Sequence, residues 1–200
     1  MKRIITILFI TLLGTSINLI SKQTKEKVTY NQNQVITASY IMPNTLHELE
    51  EISSIIVKGK FTGERANDED PTVIGPSTIS KFKVDKVYKG KIYENTISVL
   101  EPFEIIDNDF NNIEGYIPME KNSEYILFLR ENYTKEGMQY TIRNISFGKY
   151  NTSKNIKIKP QKSQINYLEE ANINEFISES QETCDNYNEI KSSVLDTYLD

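Results

Sequence analysis

The chain has one cysteine, Cys184, one histidine, His47, and no tryptophan among its 200 residues. A single cysteine excludes an intrachain disulfide. Cys184 and His47 supply at most two of the four ligands that a structural zinc site takes, so a Cys/His zinc centre is excluded as well. A Ser-His-Asp or Cys-His arrangement would have to use His47, and the sequence shows no oriented partner for it. Basic charge is in deficit: 23 Lys and Arg stand against 28 Asp and Glu, a formal net charge of −5. A phosphate-rich polymer is repelled by that field, so nucleic acid is not an expected partner. No long apolar run occurs beyond residue 20. At 38% hydrophobic and 26% charged residues, the remainder has the composition of a globular domain with one core.

The first residues are different. Met1-Lys2-Arg3 is basic, Ile4 to Leu13 is apolar, and Gly14-Thr15-Ser16 is small. This is the order of an export signal, with cleavage after Ser16 or after Ser21. The rival reading retains Ile4 to Ile20 as an anchor at the lower length limit for a spanning helix. Both readings place the rest of the chain outside the cytoplasm, secreted or at the cell surface, because Lys2 and Arg3 hold the N-terminus inside. Membrane contact is expected only if the segment stays uncleaved. Loss of this segment leaves 21 basic residues against 28 acidic ones. Thr15 stands where a lipoprotein needs its acylated cysteine, so a thioether anchor is excluded.

Four pieces of organisation follow: 1–21 signal peptide or anchor, 22–44 polar linker, 45–160 barrel, and 161–200 C-terminal helical segment. Thr45-Leu46-His47-Glu48 is a capping box, and Leu46, Leu49 and Ile52 recur at helical spacing, which predicts a short helix. Ile55 to Phe61 alternates with period two, placing Ile55, Val57, Gly59 and Phe61 on a dry face and Ile56, Lys58 and Lys60 on the other. Gly59 in the middle of that face marks a bend or a close backbone approach. In Lys81 to Tyr88, Phe82 and Val84 share a face while Val87 has the opposite parity; a bulge near Asp85-Lys86 would return Val87 to the core. Thr96 to Leu100, Glu124 to Leu129 and Gln139 to Arg143 complete five strands. Tyr125 to Leu129 is apolar on both faces, so something covers it from outside. From Asn172 the period changes. Ile173, Phe176, Ile177, Ser180, Cys184, Tyr187, Ile190 and Val194 form a stripe that predicts one long helix, with Cys184 buried on it rather than reactive.

The fold class read from this pattern is mainly β, a five-stranded OB-type barrel with a short N-terminal and a long C-terminal helix. Ser53 to Gly59 after a short helix, then Phe82 to Gly90, Ile97-Ser98-Val99 and Tyr125-Ile126-Leu127-Phe128-Leu129, resemble the bacterial branch of the netrin-like domains. These are related in fold to tissue inhibitors of metalloproteinases, and the resemblance covers roughly residues 45 to 150. It implies the barrel and an extracellular binding or inhibitory role. The animal inhibitors chelate the protease zinc through an N-terminal cysteine; this chain has no cysteine before Cys184, so that wedge is not carried over.

Candidate contact residues lie between Pro102 and Pro118, read as a long inter-strand loop with Phe103, Phe110 and Tyr116 among the acids Asp107 and Asp109. Long loops with aromatics are frequent binding elements; the same rings could equally close one end of the barrel. Asp107-Asn108-Asp109 begins like a calcium loop, but Pro118 stands at the position of the bidentate Glu, so no metal is assigned. No catalytic residue and no cofactor is assigned. The leading expectation is a monomeric, non-enzymatic secreted or cell-surface module that binds an extracellular protein through barrel-end loops. The alternative is a small secreted hydrolase using Asp107, Asp109 and Glu114, which would need a cleft and separated carboxyl pKa values.

Overall fold

The computed structural model describes residues 33–36, 41–70, 74–107, 109–134, 137–153, 155–158, 174–178 and 180–199. The export segment, most of the 22–44 linker, Asn108 and Ile173 lie outside them. No helix among the described residues is long and apolar enough to cross a membrane.

A short strand, β1 (Asn33–Ile36), precedes helix α1 (Leu46–Ile52). The Thr45 hydroxyl accepts the Glu48 amide at 3.2 Å, as the capping box predicts. The reciprocal bond is displaced by one residue: Glu48 Oε2 takes the Asn44 amide at 2.8 Å. Leu49 is buried and Ile52 is left half-exposed.

Five strands then close a barrel: β2 (Ile55–Asn67), β3 (Thr78–Lys89), β4 (Thr96–Glu101), β7 (Glu124–Thr134) and β8 (Gly137–Ile142). Their order is β2-β3-β4-β8-β7, and β7 pairs back onto β2. The β4–β8 pairing is parallel and the others are antiparallel. Numbered within the barrel this is the circuit 1-2-3-5-4-1, compatible with an OB-type fold. Gly59 is a close approach: a Cβ there would lie 2.1 Å from the Lys83 carbonyl oxygen. The bulge at Asp85 is present, since Gly59 pairs with Val84 and Lys58 with Lys86. It does not bury Val87, which is 40% exposed. The reason is that β4 pairs with β3 only as far as Lys83, so the far half of β3 overhangs its neighbour.

β7 has two apolar faces because it separates two cores. Tyr125, Leu127 and Leu129 point into the barrel with Ile55, Val57, Phe61, Phe82 and Val99. Ile126 and Phe128 point outward, joining Leu49, Phe147, Tyr150 and the C-terminal helix. Ile56, expected on a wet face beside lysines, belongs to this outer core. Its first half is flanked by β2 on one side and β9 (Lys149–Asn151) on the other.

The C-terminal helix, α2 (Gln181–Tyr198), begins later than the apolar stripe predicts. Asn174–Ser178 form a strand, β11, parallel to β10 (Asn155–Ile158). Phe176 and Ile177 thus lie on a strand, and helical spacing there was coincidence. Ser180 is the N-cap, its hydroxyl accepting the Thr183 amide at 3.2 Å. Cys184, Tyr187, Ile190, Val194 and Tyr198 bury the helix face, and the Cys184 thiol is inaccessible. The buried Glu175 carboxylate accepts from Lys191 Nζ and from the Asn151 amide, tying β11, α2 and β9 together.

Candidate functional site

Residues 102–118 are not a loose loop. They form a hairpin, β5 (Phe103–Ile106) and β6 (Asp109–Ile113), onto which β1 adds in parallel. The rings of Phe103, Phe110 and Tyr116 are each 0% exposed. Phe103 lies 5.5 Å from Phe110 and 6.4 Å from Tyr116, centroid to centroid, and all three join the barrel core. Of the two readings open in the sequence, the plug is the one the structure shows. These aromatics cannot present area to a partner in this conformation, and they are withdrawn as contact residues.

The plug is sealed by a buried carboxylate that sequence reasoning missed. Glu101, at the end of β4, accepts from Ser80 Oγ (2.5 Å), Tyr116 Oη (2.9 Å), the Met119 amide (2.8 Å) and Arg65 Nη2 (3.3 Å). Arg65 also donates to the Met119 carbonyl at 2.7 Å and sits over the Phe61 and Phe103 rings. Burial, followed by the Glu101 charge, raises the Tyr116 phenol well above its usual pKa. A buried charge with this many donors is satisfied, not poised for chemistry. Its one sequence signal was an acid at an inward-facing strand position.

Of the acids of the alternative hydrolase, Glu114 stands apart from the other two. Asp107 is exposed at the hairpin tip, and Glu114 follows the other end of β6; both have positive φ. Asp109 to Glu114 spans five residues of mostly extended chain, about 16 Å at about 3.3 Å each. Acid–base carboxyl pairs stand about 5–9.5 Å apart, so Glu114 lies too far along the chain to pair with Asp109. Among the described residues no three His, Cys, Asp or Glu side chains gather to hold a metal. His47 is exposed on α1 beside Glu51, at 3.4 Å.

A groove of about 480 Å³ lies at the barrel rim. One wall is the β2–β3 connection, with Asp70, Ile74 and Pro76. The other is the β7–β8 hairpin, with Arg130, Asn132, Tyr133 and Thr134. Leu100, Ile113, Ile142 and Ile145 are among the residues between them. Ile74 is 97% and Tyr133 75% exposed. One acid in the connection is used structurally: Asp68 Oδ1 accepts the Asp70 amide and Oδ2 the Ser77 hydroxyl. The sequence carried a signal for this groove in an isoleucine inside a polar loop and a tyrosine next to a hairpin turn.

No protein-family model matches the chain, and no curated protein matches it either.

Proposed function

We propose that this protein is a non-enzymatic, secreted or cell-surface binding module, of netrin-like or tissue-inhibitor-like kind, that engages an extracellular protein through the barrel-rim groove. The observation that carries the reading is the exposure of Ile74 and Tyr133, two large side chains that both line that groove. Two large apolar side chains exposed across a concave surface are anchors in want of a partner, whereas isolated ones would carry no weight. The barrel circuit supports the netrin-like reading, and the basic, apolar and small order of the first 21 residues supports export. The separation of Asp109 from Glu114 favours binding over the hydrolytic alternative.

The test uses the exported protein recovered from culture medium. It is immobilised beside an Ile74→Asp, Tyr133→Ala variant and exposed to cell-surface and secreted proteins. The expected result is a partner retained by the wild type and lost by the variant, with both giving the same circular dichroism. Equal retention by both would overturn the assignment of the groove. Recovery of the protein only from cytosol would overturn export.

A further inference from the structure

We propose that Arg130 and Arg143 form an oxyanion subsite that takes a carboxylate from a protein partner. The inference does not depend on the rim groove being the main contact surface. Arginine is rare here: of the 23 basic residues four are arginines, at positions 3, 65, 130 and 143. Arg65 is consumed by Glu101. The other two described arginines lie together. Leu129 pairs with Ile142, and the Arg143 amide donates to the Phe128 carbonyl at 2.9 Å, so Arg143 sits opposite Phe128. By the period of two, Phe128 and Arg130 share a face. Arg130 and Arg143 are therefore diagonal neighbours on the outer face of β7–β8, about 7–8 Å apart at Cα.

Nothing in the described structure compensates them. Neither guanidinium has an ion pair or a hydrogen bond, and Arg143 Nε is buried without an acceptor. Burial, with the neighbouring Arg130 charge, depresses the Arg143 pKa. A buried donor left without a partner is costly, and two like charges on one face add to it. A bound carboxylate would relieve both, because the planar guanidinium fork matches two oxygens. Backbone strain marks the same turn: Asn144 and Ile145, directly after Arg143, both have positive φ, which a β-branched residue adopts only under constraint.

The surroundings indicate a protein carboxylate. Arg143 lines a second groove, of about 400 Å³, with Ile41, Met42 and Ile52 exposed beside it. Glu48 and Glu51 line this groove too, but Glu48 is engaged by the Asn44 amide and Glu51 faces His47. Arg130 lines the rim groove, so the arginine pair stands where the two grooves adjoin. An acidic side chain flanked by apolar ones satisfies the arginine pair and the exposed Ile41–Met42–Ile52 surface together; a bare anion satisfies only the first.

The test is a titration of the full chain, followed by NMR at the arginine Nε–Hε resonances. The probes are a capped Leu-Glu-Glu-Leu peptide, inorganic phosphate and sodium chloride. The expected result is a saturable shift of the Arg143 Hε signal with the peptide, with affinity falling at least about tenfold in Arg143→Lys, which keeps charge but loses the fork. Arg130→Gln, an exposed change, should weaken the same response. No saturable shift in the wild type would overturn the proposal without recourse to any variant. Saturation by phosphate and not by the peptide would overturn the assignment of a protein carboxylate. An undiminished response in Arg130→Gln would overturn the pairing of the two arginines.

Discussion

Replacement of Glu101 should destabilise this protein more than any other single polar change at the barrel end. In Glu101→Ala, four donors lose their acceptor. The Ser80 hydroxyl can rotate, and Arg65 keeps the Met119 carbonyl and two aromatic faces. The Tyr116 hydroxyl and the Met119 amide lose the bonds by which Glu101 holds them, in a site closed to water. An orphaned buried donor costs about 1–3 kcal/mol, so two cost about 2–6 kcal/mol, a range that brackets the usual cost of about 3–5 kcal/mol for breaking a buried ion pair. Glu101→Gln keeps the volume but turns an amide NH₂ toward donors, for about 2–3 kcal/mol. Tyr116→Phe removes one donor and leaves Glu101 the rest, for about 1–2 kcal/mol. Urea unfolding followed by far-UV circular dichroism measures all three, with tyrosine fluorescence as a second probe, since the chain has no tryptophan. The expected order of stability is wild type, Tyr116→Phe, Glu101→Gln, Glu101→Ala. A Glu101→Ala protein within about 1 kcal/mol of wild type would refute the reasoning, because it would mean water reaches the carboxylate and the barrel end is open.

Three further outcomes follow from the same geometry. Burial raises the Glu175 carboxyl above its ordinary 4.5, against the opposing pull of Lys191, so the folded state holds that proton longer than the unfolded chain; stability should fall as pH rises from 4.5 through the folded value, and the wild-type minus Glu175→Gln difference in urea midpoint across pH 4–8 should show that fall. Tyr125 is pushed up to about 12 by burial, and Tyr116, Tyr150 and Tyr187 are also raised by burial; ultraviolet titration should show these phenols silent near pH 10 and ionising together with loss of the folded circular dichroism signal, whereas smooth ionisation of every tyrosine near 10 would contradict their burial. Gly59→Ala should destabilise by more than about 2 kcal/mol because its Cβ meets backbone at Lys83, while Gly137→Ala, strained in φ but open in space, should cost about 1 kcal/mol; thermal melts compare them.

The barrel was legible because its signals are local. Alternation from Ile55 to Phe61, the Asp85 bulge and the double-sided run at Tyr125–Leu129 each have one physical reading, and together they force a closed sheet with a cover. The misreadings have a common cause, which is tertiary context. Phe176 and Ile177 fit a helical stripe, yet Ser180 supplies the cap and the preceding residues pair with β10. Phe103, Phe110 and Tyr116 have the composition of a binding loop and the position of a plug, and only the return of the β5–β6 hairpin over the barrel end decides between them. Glu101 gave one signal, an acid at an inward-facing strand position, which becomes reasonable only when Arg65, Ser80 and Tyr116, from distant parts of the chain, converge on it. The rim groove is likewise assembled from two connections more than 50 residues apart, Ile74 and Tyr133, so no window of sequence contains it.

The two-sided character of β7 has a consequence for where this protein can be divided. Residues 45–160 contain every barrel strand and look separable from the C-terminal segment. The outer face contradicts that division. Ile56, Ile126, Phe128 and Tyr150 belong to the barrel wall and its extension, yet they are buried against Cys184, Tyr187, Ile190 and Val194 of α2. Each large apolar side chain returned to water forfeits about 1.5–3 kcal/mol, so four of them forfeit about 6–12 kcal/mol, comparable with the total stability of an ordinary domain, about 5–15 kcal/mol. Removing α2 would also take Lys191 from the buried Glu175 carboxylate. A chain ending before Ser180 should therefore lack cooperative thermal unfolding and show poorly dispersed amide resonances, although all five barrel strands are present. A truncated chain that melts cooperatively with native-like dispersion would show that the barrel tolerates a bare outer face, and that the helix is an accessory to it and not half of its core.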